Sequence, residues 1–139
     1  MKKILILCTG NSCRSQMAEG LIINYFPKIQ VYSAGTKPEQ VNPFAIKAMA
    51  KIGLDISSNI SNHADEYAHI DFDYVFTVCN NAKEICPIYP KAKQLIHHSF
   101  TDPADATGTD QEQLKVYIGV RDELATYFTF FFNNENGLG

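Results

Sequence analysis

Apolar residues cluster along this chain in two periods, and the two alternate. Ile4-Leu5-Ile6-Leu7 is an unbroken apolar run, the pattern of a central strand in a parallel sheet covered on both faces; a strand is expected over 2–7. From 15 to 25 the spacing changes. Met17, Ala18, Leu21, Ile22 and Tyr25 recur at three and four residues, and Pro27 stops the implied helix. A second strand is expected over 29–34, closed by Gly35. A second helix starts at Asn42-Pro43, a capping side chain before proline at the first helical position. It carries Ala45, Ile46, Ala48, Met49 and Ile52 and ends at Gly53.

Asp73-Tyr74-Val75-Phe76-Thr77-Val78-Cys79 is rich in β-branched and aromatic residues and predicts a third strand over 73–79. A fourth is expected over 94–98. After a polar loop, Asp110 is expected to cap a long final helix with Leu114, Tyr117, Ile118, Arg121, Leu124, Phe128 and Phe131 on one side. The crowded aromatics of 127–132 are expected to serve core packing first and a dimer contact second. Strands alternating with helices give an α/β fold, a three-layer doubly wound four-stranded parallel sheet. Ligands of such sheets bind beyond the C-terminal ends of the strands, where Cys8, Cys79 and the Asp102 loop all fall.

Composition narrows the function. The 139 residues suit a single domain over 1–139, and 45 % hydrophobic with 19 % charged residues is a globular balance. The formal charge of −3 and the lack of a Lys/Arg run argue against nucleic acid as a partner. The N-terminal apolar run is shorter than an export signal core, and no stretch is long enough to span a membrane. A cytoplasmic protein is expected, in which four cysteines point to redox, catalytic or metal chemistry rather than structural disulfides.

The chemistry concentrates in Cys8-Thr9-Gly10-Asn11-Ser12-Cys13-Arg14-Ser15, between the first strand and first helix. Such a loop can turn several backbone N–H groups toward one centre beside a helix N-terminus, which makes an oxyanion site. Arg14 offers a planar fork of donors to a tetrahedral anion. Helix dipole, loop amides, Arg14 and the Ser15 hydroxyl would all favour a Cys8 thiolate, with a pKa expected in the roughly 3.5–7.5 range of activated cysteines. Asn11 is expected to buttress the loop, and Cys13 needs no catalytic role. Cys79 and Cys86 are too far apart for a C-x-x-C turn and poorly spaced for zinc; a redox pair, two inert buried thiols and a metal site remain open. Asp102, stiffened by Pro103, is a candidate general acid. The four histidines lack ligand spacing and suit surface or packing roles.

The run from Cys8 to Gly20 resembles the signature of the low-molecular-weight tyrosine phosphatase superfamily, in the form carried by its thioredoxin-coupled arsenate reductases, and the likeness extends to about Leu124. It implies that fold, with Thr9, Gly10, Asn11, Ser12, Cys13, Arg14 and Ser15 binding arsenate, or phosphate or sulfate as analogues. It implies Cys8 as nucleophile, Asp102 as acid, and a disulfide relay through Cys79 and Cys86 recycled by a thioredoxin-like reductant. The nearest alternative is a phosphatase hydrolysing phosphoesters through Cys8, and the next is a non-catalytic oxyanion-binding or redox-sensing module. No tightly bound cofactor is implied. Some relatives hold potassium through residues matching Asn11, Glu19 and Ser33, but Asn62 stands where a further acidic ligand belongs. A monomer is expected.

Overall fold

The computed structural model describes residues 2–80 and 92–134. Among them, β1 (Lys3–Cys8), β2 (Gln30–Gly35), β3 (Tyr74–Thr77) and β4 (Gln94–His97) form one parallel sheet in the order β2-β1-β3-β4. Three α-helices accompany it: α1 (Arg14–Tyr25), α2 (Pro43–Ala50) and α3 (Asp110–Asn133). The α/β class and the four-stranded parallel sheet match the sequence reading. In this order the connections leaving β1 and β3 run to opposite sides, so the topological switch point lies between those two strands, where ligands of open α/β sheets bind.

The unbroken apolar run explains the place of β1. Ile4, Leu5, Ile6 and Leu7 are all fully buried because both faces of that strand are covered. Ile4 and Ile6 pack with Met17, Leu21, Met49, Leu124 and Phe128 under α1, α2 and α3. Leu5 and Leu7 pack with Phe72 and Val75 on the opposite face, beneath a thinner layer that includes a short 3-10 helix, Ala64–Tyr67. The ring of Phe76, on β3, meets Phe128 at 5.1 Å and Phe131 at 5.0 Å, which fixes the C-terminal half of α3 over the sheet.

Three expectations shift. β3 ends at Thr77, two residues early, although Val78 N still donates to Leu7 O at 3.0 Å and carries the ladder one step further. The cap of α3 is Thr109 rather than Asp110. Its hydroxyl accepts from Glu112 N at 3.1 Å while the Glu112 carboxylate accepts from Thr109 N, a reciprocal capping box. The buried stripe of α3 takes in Val120 and Phe132, while Leu114, Ile118 and Phe131 are only partly buried and Phe130 is 71 % exposed. Among the described residues, no helix is long and apolar enough to cross a membrane.

Candidate active site

Cys8 closes β1 and Arg14 opens α1, so the loop between them is pinned at both ends by regular structure. Its sharpest bend is at Asn11, whose φ of 50° lies in the left-handed region that asparagine tolerates better than most residues. That bend turns Asn11 N toward the Cys8 sulfur, to which it donates at 3.3 Å. Ser15 Oγ lies 3.0 Å from the same sulfur. Because Ser15 Oγ accepts from Asn11 Nδ2 at 2.7 Å, its own proton is left to point at Cys8.

Asn11 is the buttress expected of it. Fully buried, it also accepts at Oδ1 from Asn62 N, 2.8 Å, and from Gln16 Nε2, 3.2 Å. Gln16 reaches on to Ile60 O and takes a bond from Asn59 Nδ2, while Ser61 Oγ donates to Asn11 O at 2.7 Å. The segment 59–62 thus cradles the loop from below. From the side, Lys37 N donates to Thr9 O, Glu39 N to Gly10 O and Asn42 N to Ser12 O, all between 2.8 and 2.9 Å. Gly35 permits this approach: a Cβ there would stand 2.5 Å from Thr9 O, a distance no side chain tolerates.

Arg14 is 3 % exposed. It donates from one terminal nitrogen to Phe100 O at 3.2 Å and lies 3.5 Å from Asp102 Oδ2 with the other. Asp102 is held in turn by Ala104 N, which donates to its Oδ1 at 3.0 Å. Cys8, Thr9, Gly10, Ser12, Cys13, Arg14 and Asp102 therefore line one cleft of about 300 Å³. Asn11 and Ser15 work beneath its floor. Lys37, Glu39 and Asp105 also face the cleft, and sequence reasoning missed them; the position of 36–40 just past the C-terminal end of β2 was the available signal.

Cys13, at the other end of the loop, is likewise buried, at 4 % exposed. Burial pushes its thiol up to about 11, with a partly offsetting hydrogen bond from Ser12. Tyr117, packed nearby, is also raised by burial and by the neighbouring Cys13 and Asp102. Cys8 and Cys13 are free thiols, whereas Cys79 is disulfide-bonded and fully buried. Leu7 pairs with Thr77, so Cys79 follows one residue beyond the level of Cys8 on the neighbouring strand path. Cys86 lies outside the described residues.

Of the residues matched to a potassium site, Ser33 Oγ donates to Glu19 Oε1 at 3.2 Å, and burial raises the Glu19 carboxyl. Asn11 Oδ1 is already shared between Asn62 and Gln16, and Asn62 contributes a backbone amide there. The donor set fits a cation only in part. Among the histidines, His63 caps the 3-10 helix, His97 bridges the Thr77 and Ser99 hydroxyls, and His98 packs its ring 4.4 Å from that of Tyr127.

A cysteine held by amide and hydroxyl donors at the end of a central strand, with an arginine fork one loop away and an aspartate on the same cleft, is an arrangement of an α/β protein that can receive an anion and present sulfur to it. Residues 3–117 match the family model described as low molecular weight phosphotyrosine protein phosphatase. The chain belongs to that family, within the branch of its arsenate reductases. It is 48 % identical over 124 residues to the arsenate reductase of Halalkalibacterium halodurans, covering 88 % of this chain and 89 % of the relative. The arsenate reductase of Bacillus subtilis is 44 % identical over the same shares. A solved structure described as an arsenate reductase in the phosphate binding state superposes with a TM-score of 0.78 at 30 % identity, covering 94 % of this chain and 96 % of that one.

Proposed function

We propose that this protein reduces arsenate to arsenite, using Cys8 as nucleophile and passing the oxidation outward through Cys79 and Cys86 to a thioredoxin-like dithiol. The observation that carries the reading is the Cys8 sulfur, held by Asn11 N and Ser15 Oγ in a cleft that also contains Arg14 and Asp102. The family membership and the names of the relatives support the substrate.

Arsenate enters with its oxygens on Arg14 and the loop amides, and Arg14 exchanges its contact with Asp102 for the anion. The Cys8 thiolate attacks arsenic, and Asp102 supplies the proton that lets one oxygen leave as water. A Cys8 sulfur–arsenic bond results. Cys79, its disulfide having first been reduced by the external dithiol, then attacks the Cys8 sulfur as a thiolate; the electron pair of the sulfur–arsenic bond passes to arsenic, which leaves as arsenite, and a Cys8–Cys79 disulfide remains. Cys86 attacks Cys79 and releases Cys8 as thiolate. An external dithiol reduces the Cys79–Cys86 disulfide and is itself oxidised. If a potassium ion is held, Glu19 and Ser33 are its pair, and it would supply only electrostatic support behind the loop.

The test is arsenite production with thioredoxin, thioredoxin reductase and NADPH. Wild type should turn over continuously, and Cys86→Ser should stall after about one equivalent. A second reading, phosphoester hydrolysis, is favoured by the family match and needs only Cys8, Arg14 and Asp102. Equal cleavage of p-nitrophenyl phosphate by both proteins with arsenate untouched would establish that reading and remove the relay.

A further inference from the structure

An anion-binding loop has a carboxylate lying against it. A Cβ added to Gly10 would stand 3.1 Å from Glu39 Oε2 and 3.6 Å from Glu39 Cδ, so the carboxylate rests on the Gly10 face of the loop. Its backbone is fixed by the bond from Glu39 N to Gly10 O, 2.8 Å. Two residues earlier, Lys37 N donates to Thr9 O at 2.9 Å. Both residues line the cleft, and they carry opposite charge.

We propose that Glu39 sets the charge selectivity of the cleft: its carboxylate holds down affinity for dianionic tetrahedral ligands, and Lys37 acts in the opposite sense. This rests on reading the loop as an oxyanion site. Phosphate has the shape and charge of arsenate, and a cleft that bound dianions tightly would fill with it. Arsenous acid is uncharged at neutral pH, so a negative group at the mouth acts on the entering anion and leaves the departing product unaffected. Both residues are exposed, so the effect works at high effective dielectric and is screened by salt.

The test uses the reduced full chain and inorganic phosphate at about pH 8. Protection of Cys8 against iodoacetamide, resolved from Cys13 by the fragment-ion masses of the peptide that carries both, gives the dissociation constant. Glu39→Gln should bind phosphate about three- to tenfold more tightly at low ionic strength, and the gain should collapse in about 0.5 M salt. Lys37→Gln should weaken binding, and Glu39→Asp should stay near wild type. These signs and the salt dependence are not what a merely structural role gives. Binding by Glu39→Gln that equals or falls below wild type at low salt overturns the proposal. If phosphate protects neither wild type nor Glu39→Gln, the oxyanion-site reading itself falls.

Discussion

Cys8 and Cys13 occupy the two ends of one loop, and their surroundings could hardly differ more. Cys8 meets an amide donor, a hydroxyl proton and the arginine fork across the cleft. Cys13 has burial and a weak 3.5 Å contact with Ser12 Oγ, and its thiol is pushed up to about 11. The two thiols differ in the N–H and O–H groups aimed at them, and those at Cys8 are set by the left-handed turn at Asn11.

Replacing Cys8 is the hardest break. Cys8→Ser should lower turnover by about 10⁴-fold or more, measured as arsenite release and as p-nitrophenyl phosphate cleavage; appreciable residual turnover would point to another nucleophile. Arg14→Lys keeps the charge but loses the fork, along with the paired contacts to Phe100 O and Asp102. A fall of about 10²–10³ in kcat/KM is expected, and a fall below tenfold would show that charge alone suffices.

Cys13 gives the next effect, on stability rather than rate. Its ordinary value of 9.0 is raised to about 11 in the fold, so the folded state disfavours the thiolate. Its contribution is intact below about pH 9 and is lost as pH rises toward 11, by about 2–3 kcal/mol. Urea titrations across that window should show wild type losing stability relative to Cys13→Ala; parallel curves would refute the burial argument. The smallest effect is at Ser15. Removing the hydroxyl proton aimed at sulfur in Ser15→Ala should slow alkylation of Cys8 at about pH 7 by three- to tenfold, while Cys13 stays unreactive in both proteins.

Much of this was legible in the sequence because it is local. The apolar run of β1, the turn-prone loop and the spacing of α1 lie within one stretch of chain, and they suffice to put Cys8 and Arg14 at the ends of a single curl. Asp102 was legible through its proline. The wall formed by Lys37 and Glu39 was not, since it depends on the 36–42 segment pairing with the loop across the sheet, and nothing in its own composition announces that. The cradle from Asn59 to Asn62 was missed for the same reason: its polar residues read as turn formers, and their partners are Asn11 and Gln16, far away in sequence. The Thr109 cap was lost to a local ambiguity, two adjacent capping residues whose choice is settled by the reach of Glu112.

The length of α1 has a practical side. Its first residue is in the cleft and its twelfth, Tyr25, sits about 16 Å along the axis, where Tyr25 and Phe130 line a shallow groove and Ile23 stands 54 % exposed. The exposed rings of Tyr25 and Phe130 are thus held a helix-length away from the Cys8 sulfur. Polar replacements at Ile23, Tyr25 and Phe130 are a route to altering how the protein behaves in concentrated solution, in storage or on a column, at positions the chemistry does not reach.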